Sequence, residues 1–116
     1  MVEFNKRRVV VTGIGLITPL GNDTETIWSQ LIKGKSGVDY ITQCDPSPFP
    51  SKVAAEVKDF DPTEYMGPKE HKRMARFSQL AVAAASIALE NASINIDNIH
   101  PGKIGVVIGN GNGGFP

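Results

Sequence analysis

From Leu80 to Leu89 the chain reads LAVAAASIAL, with Ser86 as its one polar residue. The run belongs to a longer helical signal. Asp61 followed by Pro62 offers an N-cap and a proline at the first helical position, and Gly67 and Pro68 then interrupt. The pattern predicts a short helix and then a long one from about Pro68 to about Asn91. A helix without a polar face is buried on several sides, and its alanines let neighbouring elements come close. A chain of 116 residues does not easily supply that much cover. The helix is therefore expected to lie between layers of a larger fold.

Two β-branched runs bracket this helix. Arg8 to Thr12 and Lys103 to Ile108 each read as an interior strand, apolar on both faces, and each leads into glycines. Between them, Thr24 to Lys33 places Ile27, Leu31 and Ile32 on one helical face with Trp28 beside them. Asn22 or Asp23 can cap its start and Gly34 can end it. GKSGVDYITQCDPSPFPSK follows, dense in Gly, Pro and Ser, and is expected to be an irregular surface excursion. VAAEVKDF is a plausible short strand. The alternation argues an α/β fold with a largely parallel sheet. A domain rarely ends on a glycine loop straight after a core strand, so more protein is expected to belong here.

The glycines raise the possibility of a nucleotide site. A dinucleotide turn needs G-x-G-x-x-G between strand and helix, with an acidic residue about 20 positions further on. Gly13 and Gly15 begin that spacing, but Thr18 occupies the third position. Pro19 then falls where the helix should be running, at a cost of about 3 kcal/mol. Gly109, Gly111 and Gly114 satisfy the spacing, but Pro116 again blocks an immediate helix and the acidic partner would fall past it. A small nucleotide-binding module predicts measurable NAD(P) or ATP binding by the chain.

Composition narrows the classes further. The 12 basic and 12 acidic residues cancel, so no global field favours nucleic acid or an anionic membrane. No apolar run approaches the ~18–20 residues that cross a bilayer. A single cysteine, Cys44, excludes an internal disulfide framework and fits a reducing, cytoplasmic setting.

RRVVVTGIGLITPLGN, GKSGV after the first helix, VKDFDPTEYMGPKEHKRMARFSQLAVAAASIALENA and IGVVIGNGNGGF occur in this order at family-like spacing. Together they closely resemble the opening of the β-ketoacyl-acyl carrier protein synthases, the elongating condensing enzymes of fatty acid synthesis. The resemblance covers essentially the whole chain. It implies a thiolase-like layered fold (αβαβα), of which residues 1–116 would be the N-terminal portion of an incomplete N-terminal domain. In that family the glycines after strands serve tight turns and close backbone packing.

The implied reaction is decarboxylative Claisen condensation. A cysteine takes the acyl group from a carrier-protein thioester, malonyl-carrier protein loses CO2, and the carbanion attacks the acyl-enzyme. Two histidines stabilise the developing oxyanion. No metal, nucleotide or other cofactor is implied, and the full-length form is implied to be a homodimer. None of the three catalytic residues can be placed in this chain. Cys44 sits in a proline-rich loop beside an aspartate, which opposes formation of a thiolate. His71 and His100 read as surface residues. A non-catalytic partner subunit of the chain-length-factor kind shares this stretch and stands as the alternative.

Recognition residues can be carried over. KEHKRMAR supplies Lys69, Lys72, Arg73 and Arg76, the last three at i, i+1 and i+4 along one predicted helix. The family presents basic residues here to the acidic acyl carrier protein, and Lys69, Lys72 and Arg73 align with that patch. The GNGNGG loop, with Gly111, Asn112 and Gly113, aligns with the loop beside the acyl-chain tunnel. Asn112 stands where the fatty acid enzymes commonly have an apolar residue such as isoleucine. Asn112 is equally well suited to bonding backbone in a tight turn.

Overall fold

The computed structural model of the chain describes residues 7–111 and 113. These form two α-helices, α1 (Thr24–Ile32) and α2 (Arg76–Asn91), and two strands, β1 (Asp39–Tyr40) and β2 (Val53–Ala54). Short 3-10 turns cover Pro62–Glu64, His71–Arg73, Ile96–Asn98 and Pro101–Lys103.

Helix α1 begins where Asp23 accepts from the Thr26 backbone N–H at 2.8 Å. That bond holds the Asp23 carboxyl below its ordinary value of 3.8. Asn22, the other candidate cap, donates instead to the Asp59 carbonyl at 2.7 Å and ties the start of α1 to the chain after β2. The helix ends as its sequence predicts. Gly34 takes φ +65°, its N–H reaches Leu31 O at 2.9 Å, and Lys35 N–H reaches Gln30 O at 3.0 Å. This is the Schellman arrangement, in which the left-handed residue costs glycine nothing. Ile27 is the buried residue of the helix, at 3% exposure.

Helix α2 ends at Asn91, as the pattern predicts, but it starts later than expected. His71–Arg73 forms a separate 3-10 turn, Met74 and Ala75 are extended, and the α-helix begins only at Arg76. One face of α2 meets the segment after the first β-branched run. A Cβ on Gly13 would stand 2.7 Å from Ala92 Cβ, and one on Gly15 would stand 2.6 Å from the Ala88 nitrogen. Ile14 N–H donates to Asn91 Oδ1 at 3.0 Å across the same junction. Ala81, Val82 and Ala85 then form an open apolar groove of about 500 Å³ with Val106, Val107, Ile108 and Gly109. At about 100° per residue, Ala81, Ala84, Ala85, Ala88 and Ala92 share this face. Ala83 points the other way and is fully buried.

Several expectations are corrected. Arg8–Thr12 and Lys103–Ile108 are not strands: in the first run Val9 is 90% and Val11 81% exposed, and Val107 is 99% exposed. Lys103 closes a 3-10 turn. The sheet among the described residues is antiparallel, pairing Asp39 with Ala54 and Tyr40 with Val53. Its first strand lies inside the segment expected to be irregular. Apart from Ala83, α2 is only partly covered, and Ala81 and Ala85 are exposed. The reason is shared by all of these. Extended segments become strands when a neighbour accepts their backbone bonds, and neither run has such a neighbour among the described residues. The radius of gyration, 18.1 Å, exceeds the ~13 Å of a closed domain near this length. The layers that the α/β reading requires are not closed here.

Replacing Gly15 with alanine should force α2 away from the Gly13–Gly15 segment and destabilise their contact by about 1–3 kcal/mol. Gly105→Ala, where a Cβ would meet nothing within 4 Å, should change little. Far-UV circular dichroism melts of the two variants test this, and equal midpoints would refute the close-approach account.

Candidate functional site

The basic run is built on a hub at the start of α2. Phe60 is buried at 9% exposure and stacks on Tyr65 with ring centroids 6.0 Å apart. The Arg76 guanidinium lies 4.7 Å from the Phe60 ring centroid, a cation–π contact. Arg76 Nη2 also donates to Val57 O at 3.4 Å. Below the hub, Asp61 accepts from Thr63 Oγ1 at 2.7 Å and Thr63 N–H at 2.8 Å, which lowers the Asp61 carboxyl from its ordinary 3.8.

From this base the four candidate cations divide. Lys69, Lys72 and Arg73 are exposed and pair with no carboxylate among the described residues. The carboxylate inside the run, Glu70, is turned to the backbone and accepts from Gly67 N–H at 3.2 Å. Three positive charges therefore face solvent unneutralised. Arg76 differs, because its guanidinium is held by Phe60 and Val57. Lys72 and Arg73 stand on the 3-10 turn and Arg76 on α2, so the expected spacing along one helix is corrected: extended Met74 and Ala75 separate them.

A polar clamp that the sequence reading missed holds the turn. Gln79 Nε2 donates to His71 O at 2.8 Å and to Met74 O at 3.2 Å. The available signal was a glutamine in the first turn of the helix, just ahead of its apolar run. Missed also were β1 and its pairing with β2; β2 itself lies within the expected strand VAAEVKDF and leads to Val57. Val57 O accepts from Gln43 Nε2 at 2.9 Å as well as from Arg76.

The remaining candidates are scattered. Cys44 is a free, exposed thiol. His71 Nδ1 lies 3.3 Å from Gly67 O, and His100 Nδ1 accepts from Gly102 N–H at 3.1 Å. Each histidine is thus bonded within its own turn. No group of three or more His, Cys, Asp or Glu that could hold a metal occurs among the described residues, and no described helix is long and apolar enough to cross a membrane. In the glycine loop, Gly111 is exposed and Asn112 lies outside the described residues. A Cβ on Gly113 would stand 3.0 Å from Phe77 Cγ, so this loop returns to the first turn of α2. At the other glycine pair, the backbone of α2 fills the space that a phosphate would need beside Gly13 and Gly15.

Residues 6–115 match the family model of the β-ketoacyl synthase N-terminal domain. The chain is 44% identical over 113 residues to the 3-oxoacyl-(acyl-carrier-protein) synthase 2 of Coxiella burnetii, covering 97% of this chain and 27% of that protein. It is also 44% identical over 115 residues to the Synechocystis protein of the same name, covering 99% and 28% respectively. The chain thus spans about a quarter of the length of these relatives. Among solved structures, the ishigamide ketosynthase/chain length factor superposes with a TM-score of 0.70 at 36% identity, over 80% of this chain and 23% of that one.

The hairpin beneath the hub carries an acid-sensitive cluster. Lys58 Nζ lies 3.0 Å from Asp39 Oδ2; its hydrogen bond, with a second from Tyr40 N–H, lowers the Asp39 carboxyl from 3.8. Partial desolvation raises Glu56, but bonds from Thr42 and Gln43 and the charge of Lys58 outweigh it and leave the carboxyl below 4.5. Both carboxyls are depressed in the folded state, so their contribution is present above the ordinary values and is lost as pH falls through the lowered ones. The amide shifts of Thr42 and Gln43 should titrate with a midpoint below 4.5, and Glu56→Gln should abolish the titration. A midpoint at or above that value would contradict the assignment.

Proposed function

The chain belongs to the β-ketoacyl synthase family, as part of its N-terminal domain, and from that premise we propose that the full-length protein is a 3-oxoacyl-acyl carrier protein synthase. Its reaction is decarboxylative condensation of an acyl thioester with malonyl-acyl carrier protein, in fatty acid or related biosynthesis. On this reading residues 1–116 form an N-terminal part of the domain. The nucleophilic cysteine and the two histidines are supplied by the rest of the polypeptide, in a cytoplasmic homodimer. Assay of condensation by the full-length protein separates this reading from a non-catalytic partner subunit, which would form no product.

The work of the present residues is recognition. The observation that carries it is the exposed, unneutralised set Lys69, Lys72 and Arg73, displayed just ahead of α2. An acidic carrier protein bearing the acyl thioester docks against these charges. Each exposed pair contributes under about 1 kcal/mol, but several together steer encounter and fix orientation, with strong salt dependence. Arg76, held by Phe60 and Val57, takes a lesser part in docking. In the full-length enzyme, charge reversal at Lys72 and Arg73 should raise KM for the carrier-borne substrate about tenfold, with kcat nearly unchanged and a weaker response to salt. An unchanged KM would sink the docking role.

Gly111, Asn112 and Gly113 are assigned to the loop beside the acyl chain, supported by the return of Gly113 to Phe77. An unpaired amide against methylene groups costs roughly 1–3 kcal/mol. Asn112 therefore suits a short chain or one bearing a polar group. Asn112→Ile in the full-length enzyme should shift the product profile toward longer apolar chains. An identical profile would reduce Asn112 to a backbone-bonding turn residue.

A further inference from the structure

The geometry points to Gln79 as a positioning residue for carrier docking: its side-chain amide fixes the turn that aims Lys72 and Arg73 at the partner. The inference rests on the docking reading and adds a determinant that does not itself touch the carrier. The two carbonyls that Gln79 Nε2 engages, His71 O at 2.8 Å and Met74 O at 3.2 Å, belong to the residues just before Lys72 and just after Arg73. A primary amide nitrogen carries two hydrogens, one for each carbonyl. The backbone N–H of Gln79 meanwhile donates to Ala75 O at 3.1 Å, in the first turn of α2. One residue thus joins the rigid helix to both ends of the dipeptide that carries the cations.

The turn needs that support. Arg73 N–H to Glu70 O, at 2.9 Å, ties the turn to the residues before it, but toward α2 its closing bond, Met74 N–H to His71 O, is long at 3.3 Å. Extended Met74 and Ala75 uncouple the turn from the bonding ladder of α2. Lys72 and Arg73 have no ion pair among the described residues to orient them. Without the clamp, docking would have to order this backbone as well as the two long side chains, and ordering on binding weakens affinity.

The test uses the full-length enzyme with one acyl group presented on acyl carrier protein and on pantetheine. Gln79→Met keeps the length and helix propensity of the side chain and removes the donors; Gln79→Ala is the second variant. Gln79→Met should raise KM for the carrier-borne substrate about threefold to tenfold, leaving kcat and the pantetheine kinetics unchanged. Combined with charge reversal at Lys72 and Arg73, it should add no further loss, because the cations it aims have been removed. Equal losses on both substrates, or full additivity with the charge reversal, would overturn the positioning role. So would an unchanged carrier KM in Gln79→Met while charge reversal raises it, and in that case docking stands. If charge reversal also leaves KM unchanged, the docking reading falls and this inference with it.

Discussion

The described part of the chain depends on the approach of the Gly13–Gly15 backbone to the alanine face of α2. Gly13 and Gly15 lack the Cβ atoms that would meet Ala88 and Ala92, and the helix presents only methyl groups there. Neither half of the contact works alone. A leucine at Ala84 or Ala88 would hold the segment off as surely as a side chain at Gly15. The Ile14 N–H to Asn91 bond then fixes the axial position of that segment along the helix. The glycines after the first β-branched run are thereby explained as a packing device, which is also how the family resemblance accounts for them.

At its other end α2 organises a polar surface by different means. Arg76 is anchored by an aromatic ring and a carbonyl, and Gln79 by two carbonyls. Both are long polar side chains spent on backbone and aromatic partners, which leaves Lys69, Lys72 and Arg73 to solvent. Fixed polar residues beneath exposed charged ones suit encounter with a charged partner. The exposed charges act at long range, and the anchored residues hold the backbone that presents them.

How much of this was legible varied with the range of the interaction. The caps of α1 were readable because Asp23 and Gly34 act on backbone groups within a few residues. The end of α2 at Asn91 was readable from the end of the apolar run. The β-branched segments misled, because β-branching reports what a segment can pair with and not whether a neighbour is there. Nor does KEHKRMAR contain a glycine or proline to announce the break at Met74 and Ala75. The break is held by Gln79 and by Arg76 over Phe60, contacts whose partners lie up to 19 residues apart. In the candidate site, the charges were visible in the sequence, while the division between three free cations and one anchored cation required the fold. Asn112, the residue on which chain-length specificity turns in the proposed reading, is identified from the sequence alone.

The two proposed recognition elements converge on adjacent residues of α2. Arg76 faces Phe60 directly after the basic turn, while Phe77, one residue on, meets Gly113 of the glycine loop. Successive residues on a helix differ by about 100° in direction and rise by about 1.5 Å. A single helical turn therefore fixes the separation between the surface where a carrier would dock and the loop where its acyl chain would run. Seating both elements on one turn of a helix holds that separation without a long chain of intervening contacts. Specificity for the carrier and specificity for the acyl chain are on this view mechanically joined, and a change that tilts the start of α2 disturbs both together.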